Sequence, residues 1–255
     1  MKGLGCRKVI LTGGASGIGR AAALRLRAEG CLVGIFDLHE AGGQDTARRI
    51  VEASGKATAY HVDIADYAQV QAAHDQFESA FGPVESLANI AGWDAAKNFL
   101  DTGPDFWEKV VRINLFGPIT MHRVVLEGMA ARGFGRVVNI SSDAGRVGSS
   151  GEAVYSACKG GIIAFGKTVA RELARKGVKI NRLCPGPTDT PTLQSFFGAG
   201  EDAARIADAL KKAIPMKRLG KPEDYVGMIA MLLSDESSYM TGQTFSISGG
   251  LTMHG

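Results

Sequence analysis

The chain has 255 residues, 45% of them hydrophobic and 22% charged, which is the composition of a globular protein long enough to bury a full core. A net charge of +3 with no run of Lys or Arg argues against nucleic acid as a partner. No apolar run reaches membrane-spanning length, and the first residues lack the apolar core of a signal peptide, so a cytoplasmic protein is expected.

Residues 8–12 (Lys8-Val-Ile-Leu-Thr12) form a short β-rich run that ends in Thr12-Gly-Gly-Ala-Ser-Gly-Ile-Gly19. Ile18, Ala21, Ala22 and Leu26 then recur at helical spacing up to Gly30. Strand, glycine turn and helix is the context that phosphate binding requires. Gly13, Gly17 and Gly19 let the backbone approach a pyrophosphate, and the helix start, with Ser16 and Ile18, attracts its charge. Dinucleotide binding is favoured over a merely tight turn.

A second apolar strand, 32–37, ends on Asp37, 18 residues after Gly19. A carboxylate there accepts hydrogen bonds from the adenine ribose hydroxyls and repels a 2′-phosphate. Leu38 follows, and no Arg or Lys stands at Ala15-Ser16, so NAD is expected rather than NADP. The alternative for Asp37 is a cap of the next helix.

The alternation continues with a helix at 41–54, a strand at 58–62, and Asp63-Ile64 at the adenine edge. A helix at 68–81 and a strand and turn at 84–90 come next. Helices are expected at 104–114 and 119–132, a strand at 136–140, a long helix at 155–175 and a strand at 178–183. The last elements are a helix at 222–233 and a seventh strand at 243–248. This rhythm predicts an α/β fold: a Rossmann-type, doubly wound, parallel seven-stranded sheet in one domain, 1–255. Gly160, Gly161 and Gly166 in the long helix point to close approach, either by another subunit's helix or by the chain's own sheet. Residues 188–213 break the rhythm at the C-terminal end of a strand, where open α/β sheets place ligands, and are read as a mobile substrate lid.

Tyr155 and Lys159, four apart, share one helix face. A free phenol titrates at about 10, and a neighbouring ammonium lowers that value toward the range useful in acid–base catalysis. Alone the spacing also fits a surface pair. Ser142, thirteen residues upstream at the end of the apolar run 136–140, favours the catalytic reading. The four cysteines and five histidines show no metal-ligand or disulfide spacing, so reduced thiols and no metal are expected.

Taken together, these residues resemble the short-chain dehydrogenase/reductase family over essentially the whole chain. Thr12-Gly-x-x-x-Gly17-x-Gly19 resembles the family's nucleotide turn, Asn89-Ile-Ala91-Gly92 its Asn-Asn-Ala-Gly segment, and Asn114, Ser142, Tyr155 and Lys159 its catalytic tetrad. Pro185, Gly186, Thr188 and Thr190 resemble the segment that holds the nicotinamide carboxamide. Ile90 departs from the family's second Asn. The resemblance implies reversible hydride transfer between nicotinamide and a secondary alcohol, with Tyr155 as acid/base and Ser142 positioning the substrate oxygen. Lys159 would tune Tyr155 and hold the nicotinamide ribose, while Asn114 would hold a water linking Lys159 to solvent. It also implies a homotetramer built through the long helices and the C-terminal strand. A non-catalytic dinucleotide-sensing protein on the same fold is the rival of a different class.

A closer likeness, to β-hydroxyacyl-CoA-oxidising members, is carried by Gly92-Trp-Asp94 and by the stretches 141–155, 184–190 and 248–253. It implies a small-molecule substrate that is a CoA thioester, with Trp93, Arg146, Phe196 and Phe197 at the substrate. Arg146 could meet a thioester carbonyl or a CoA phosphate, or else serve as a structural partner. A 3-oxoacyl-thioester reductase and a dehydrogenase of alcohols, sugars or steroids are the alternatives within the family.

Overall fold

In the computed structural model, which describes residues 1–191, 193–194 and 201–253, seven parallel strands form one sheet. They are β1 (Lys8–Thr12), β2 (Leu32–Asp37), β3 (Lys56–His61), β4 (Ser86–Asn89), β5 (Gly135–Ile140), β6 (Val178–Pro185) and β7 (Thr244–Ile247). Their order is β3-β2-β1-β4-β5-β6-β7. The sheet therefore reverses direction of growth between β1 and β4, the crevice where such folds bind ligands. All six residues of β5 are buried, because helices cover both faces there, whereas the edge strands β3 and β7 are half-exposed.

The period of two along each strand divides the core. Val9 and Leu11 of β1 pack on one face with α1 (Gly17–Ala28), α2 (Glu40–Glu52) and the helix Glu223–Leu233. Ile10 points to the other face, which is filled by α3 (Tyr67–Phe81), the helix Gly117–Arg132 and the end of the long helix. No described helix is long and apolar enough to cross a membrane.

The expected strands and helices are all present, with ends shifted by at most three residues. One difference has structural content. The helices expected at 104–114 and 119–132 are a single run, α4 (Pro104–Val111) and α5 (Gly117–Arg132), joined by a π-helical turn, Arg112–Phe116. Pro118 has no N–H to give the carbonyl of residue 114, so the regular ladder cannot continue through it. Such turns cluster at functional sites, and Asn114 lies within this one.

The long helix α6 (Ala153–Leu173) explains its own glycines. A Cβ on Gly160 would stand 3.0 Å from the Gly145 carbonyl, one on Gly161 3.2 Å from Leu115, and one on Gly166 2.5 Å from Arg182. The close approaches are made within the chain, by a loop turn, the π-helical turn and β6. Beyond β6, α7 (Glu201–Ala213) and α8 (Glu223–Leu233) complete the fold. Phe196 and Phe197, expected on the lid, lie outside the described residues.

Candidate active site

One cavity of about 1230 Å³ runs along the C-terminal edge of the sheet. Single ligand pockets are roughly 300–1,000 Å³, so this one has room for a dinucleotide and a second molecule. The glycine turn forms its floor. Gly13 has φ +73°, and a Cβ there would meet the Ala91 backbone at 2.8 Å; a Cβ on Gly19 would stand 1.9 Å from the Gly13 carbonyl. Thr12 Oγ1 accepts from the amides of Ile90 (3.0 Å) and Ala91 (3.1 Å) and so fastens β1 to β4 beneath the turn. Ser16, Gly17, Ile18, Ala91 and Gly92 line the cavity with Gly13 and Gly19.

At the far end stands Asp37. Its carboxylate accepts from Ala15 N and His39 N, each at 2.8 Å, so it is bound to the glycine turn and fixed in direction. Leu38 beside it is 64% exposed, and Asp63 and Ile64 form the adjoining wall. Arg112 reaches Asp63 at 3.1 Å. Pro185, Gly186, Thr188 and Thr190 line the opposite rim. Thr188 Oγ1 bonds the Tyr225 hydroxyl (2.7 Å), and the Thr190 methyl lies 3.2 Å from where a Gly17 Cβ would stand. The residues present fit a dinucleotide: only a glycine backbone leaves room at the turn, and a fixed carboxylate closes the adenosine end.

Asn89 does not belong to this wall. It is buried, and its Nδ2 donates to Asn139 Oδ1 (3.0 Å) beneath the site. His122 completes that network, 3.3 Å from Asn139 Nδ2, and burial holds it neutral with a pKa near 4. Only the Nδ2 of Asn89 is satisfied there, its Oδ1 being buried without a partner among the described residues; the side chain lies under the cavity wall and does not line it.

The reactive side chains meet at the other end of the cavity. Ser142 follows β5, and Tyr155 and Lys159 project from the first turns of α6. Backbones set the spacing. The helical turn Ala144–Val147 lies against α6 so closely that a Cβ on Gly145 would stand 2.5 Å from Gly160 N. Ser141 Oγ adds a bond to the Lys159 carbonyl (2.9 Å).

Lys159 is 2% exposed; Nζ donates to the Ile140 carbonyl (3.1 Å) and stands 5.3 Å from the Tyr155 ring centroid. Burial pushes the ammonium down to about 8. The expected lowering of Tyr155 by Lys159 is not what the structure shows. Burial raises the phenol above its ordinary value, Glu152 and Asp94 raise it further, and the Ser142 hydroxyl pulls the other way. The ammonium stands over the ring, 5.3 Å from its centroid, and is not among the groups that lower the phenol.

Asn114 is fully buried. Its Nδ2 donates to the carbonyls of Trp93 (2.6 Å) and Val110 (3.0 Å), and Oδ1 accepts from Trp93 N (3.3 Å). A Cβ on Gly92 would stand 3.1 Å from that Oδ1 and 3.4 Å from Lys159 Nζ, so the two groups share one corner.

Of the expected substrate contacts, Trp93 lines the cavity, with Phe106 at its edge and Lys109 Nζ 3.8 Å above its ring. Arg146 does not line it. Its guanidinium turns to β7, donates to Ser246 Oγ (2.8 Å) and stands 3.8 Å from Asp143. It is a structural partner, because the turn Ala144–Val147 directs it over the sheet. Sequence reasoning missed Asp94 and Glu152, which line the cavity beside Tyr155. The available signal was their position, next to Trp93 and three residues before Tyr155.

Comparison with known proteins accords with this geometry. A family profile described as enoyl-(acyl carrier protein) reductase matches residues 13–252. The chain is 33% identical over 253 residues to a (3R)-3-hydroxyacyl-CoA dehydrogenase of Homo sapiens, covering 96% of this chain and 95% of that one. It is 36% identical over 250 residues to a 2-dehydro-3-deoxy-L-rhamnonate dehydrogenase (NAD(+)) of Sphingomonas sp., covering 96% and 95%. A crystal structure of a 3-oxoacyl-[acyl-carrier protein] reductase with bound NAD from Brucella melitensis superposes with a TM-score of 0.88 at 33% identity, over 97% of this chain and 92% of that one. With matched relatives named as dehydrogenases and reductases along its whole length, the chain belongs to the short-chain dehydrogenase/reductase family, oxidoreductases that act on CH–OH groups.

Proposed function

We propose that the protein is an NAD-linked dehydrogenase that interconverts the alcohol and ketone of a β-hydroxyacyl-CoA, with an alicyclic acyl group such as that of 2-hydroxycyclohexanecarboxyl-CoA. The observation that carries this reading is one cavity with Asp37 at one end and Tyr155, Ser142 and Lys159 at the other. Asp37 supports NAD because its fixed charge repels a 2′-phosphate. Among the described residues lining the cavity, the Lys side chains, Lys109 and Lys159, stand away from that end. The thioester class is supported by the names of the human and Brucella relatives and by the stretches around Trp93 and 248–253. The same resemblance supports a homotetramer.

NAD bound along the glycine turn supplies hydride acceptance and donation. The chain's own residues handle the proton. Tyr155 as the phenol gives its proton to the carbonyl oxygen in reduction, and as the phenolate it takes the hydroxyl proton in oxidation. The Ser142 hydroxyl holds the same oxygen and steadies charge that develops there. Lys159 and Asn114 place a positive charge and an amide beneath Gly92, at the inner end of a proton path from Tyr155.

The test is an NAD- and NADP-linked screen over cyclic and linear hydroxyacyl-CoA thioesters, free hydroxy acids, sugars and sterols. A cyclic β-hydroxyacyl-CoA with NAD should give the highest kcat/KM. Tyr155→Phe should lose at least about 100-fold in turnover, the scale of a positioned proton-transfer group, with NAD affinity kept. Near-native rates in that variant would refute the role of Tyr155. A second reading, oxidation of a free hydroxy acid, is favoured by the Sphingomonas relative, and the same screen separates the two.

A further inference from the structure

The substrate end of the cavity holds two carboxyl groups that the proton chemistry does not use. Asp94 lies just after Trp93, and Glu152 just before α6. Lys97 N donates to the Gly151 carbonyl (3.0 Å), so the two segments run side by side. Both side chains line the cavity next to Tyr155 and Ser142. Asp94 is only 6% exposed, and its Oδ2 is buried without a partner among the described residues. Such an atom is costly to leave unpaired in a finished core; at a cavity wall it marks a place for a ligand atom.

The neighbouring charges define what that ligand can be. Glu152 opposes ionisation of Asp94, while Lys159 favours it. Tyr155 faces the pair as a neutral phenol. Asp143, the third carboxyl on this wall, has its Oδ1 held by Ser246, which donates to it, with Arg146 3.8 Å away, while its Oδ2 is also without a partner among the described residues. Lys109 is seated on the Trp93 ring. Burial, with Glu152 adding to it, pushes Asp94 up to about 7, and burial also raises Glu152. Two carboxyls this close share a proton near neutrality rather than ionise together. That proton lies in the hydrogen bond the two side chains make with each other, and the pair, which carries one negative charge, becomes an O–H donor to a ligand when the proton turns outward. A neutral carbonyl can accept the hydrogen bond, as from other carboxylic acids kept protonated in apolar sites. A carboxylate meets repulsion at the same place.

We propose that Asp94 and Glu152 form a specificity filter that hydrogen-bonds the uncharged carbonyl of an acyl thioester and rejects the carboxylate of the corresponding free acid. This rests on the reading of the cavity as a dehydrogenase site, and it adds the group that selects the substrate class. Asp94 and Glu152 act here as binding groups; Tyr155 and Ser142 keep the chemistry.

The experiment is calorimetric titration of the NAD-loaded protein with cyclohexanecarboxamide and with cyclohexanecarboxylate, a neutral and an anionic ligand of nearly equal shape. The amide should bind at least about tenfold more tightly, a difference of about 1.4 kcal/mol. In the double variant Asp94→Asn, Glu152→Gln that ratio should fall toward one, chiefly through tighter binding of the acid, with NAD affinity unchanged. Glu152→Gln alone should fall between, and it serves if the Asp94 change impairs folding. Equal binding by the wild type, no binding of either ligand, or an undiminished ratio in the variants would overturn the filter. A screen that finds no thioester turnover while the amide-to-acid ratio holds would sink the proposed substrate and leave the filter standing.

Discussion

Lys159 is the sharpest place to test the electrostatics of the site. It is 2% exposed, and burial brings its ammonium from an ordinary 10.5 to about 8. A cation whose folded pKa is depressed is proton-poor in the native state, so its cost is full below pH 8 and disappears as pH rises toward 10.5. Burial of this extent makes the charged lysine cost about 3 kcal/mol at pH 7 and about 1 kcal/mol at pH 10. Lys159→Met removes this titration, and it also leaves the Ile140 carbonyl without its 3.1 Å donor. That loss is independent of pH to first order, at about 1–3 kcal/mol. The quantity to measure is therefore the change in stability difference with pH. Urea unfolding of both proteins from pH 7 to pH 10 should show the variant losing about 2 kcal/mol of relative stability over that range. A stability difference that stays flat would mean that the lysine titrates normally and that burial does not govern it. The variant should also lose turnover at every pH, so that stability and activity move in opposite directions at neutral pH.

Two further outcomes follow from side chains whose partners are known. Replacing Asp37 by Ser and Leu38 by Arg should lower the ratio of NAD to NADP efficiency by at least about tenfold, or 1.4 kcal/mol, measured as kcat/KM for each cofactor; a native preference for NADP would refute the role given to Asp37. Arg146→Ala should cost about 1–3 kcal/mol of stability through the lost bond to Ser246 and leave KM for a thioester within about twofold, whereas a tenfold rise in KM would return Arg146 to the substrate.

The glycine turn, Asp37 and the Tyr155–Lys159 pair could be read from the sequence because each depends on neighbours a few residues away, whereas Asn114 entered only through the family resemblance. A strand that ends in glycines before a helix, or a Tyr and a Lys one turn apart, carries its geometry in its spacing. What could not be read depends on contacts between distant segments. Asp94 and Glu152 are brought together by two loops at the sheet edge, and no local period announces that meeting. Asn89 was placed by its motif, but the direction of its amide is decided by Asn139 from another strand. Arg146 was undecided for the same reason, since its partner Ser246 lies 100 residues away on β7. The π-helical turn at 112–116 has a local cause in Pro118, yet helical periodicity alone divides the run into two helices there.

The packing of Gly145 against Gly160 bears on how such a protein can diversify. Ser142 and Tyr155 are held apart chiefly by peptide groups in contact, with the Ser141 bond to the Lys159 carbonyl beside them. Mutations that reshape the rest of the cavity, at Trp93, Val147 or Leu210, leave this spacer untouched. The proton-handling unit can thus stay constant while the acyl-binding wall drifts toward new substrates. The two glycines are the positions where that independence ends: a methyl group on either would push the loop from the helix and alter the chemistry and the specificity together.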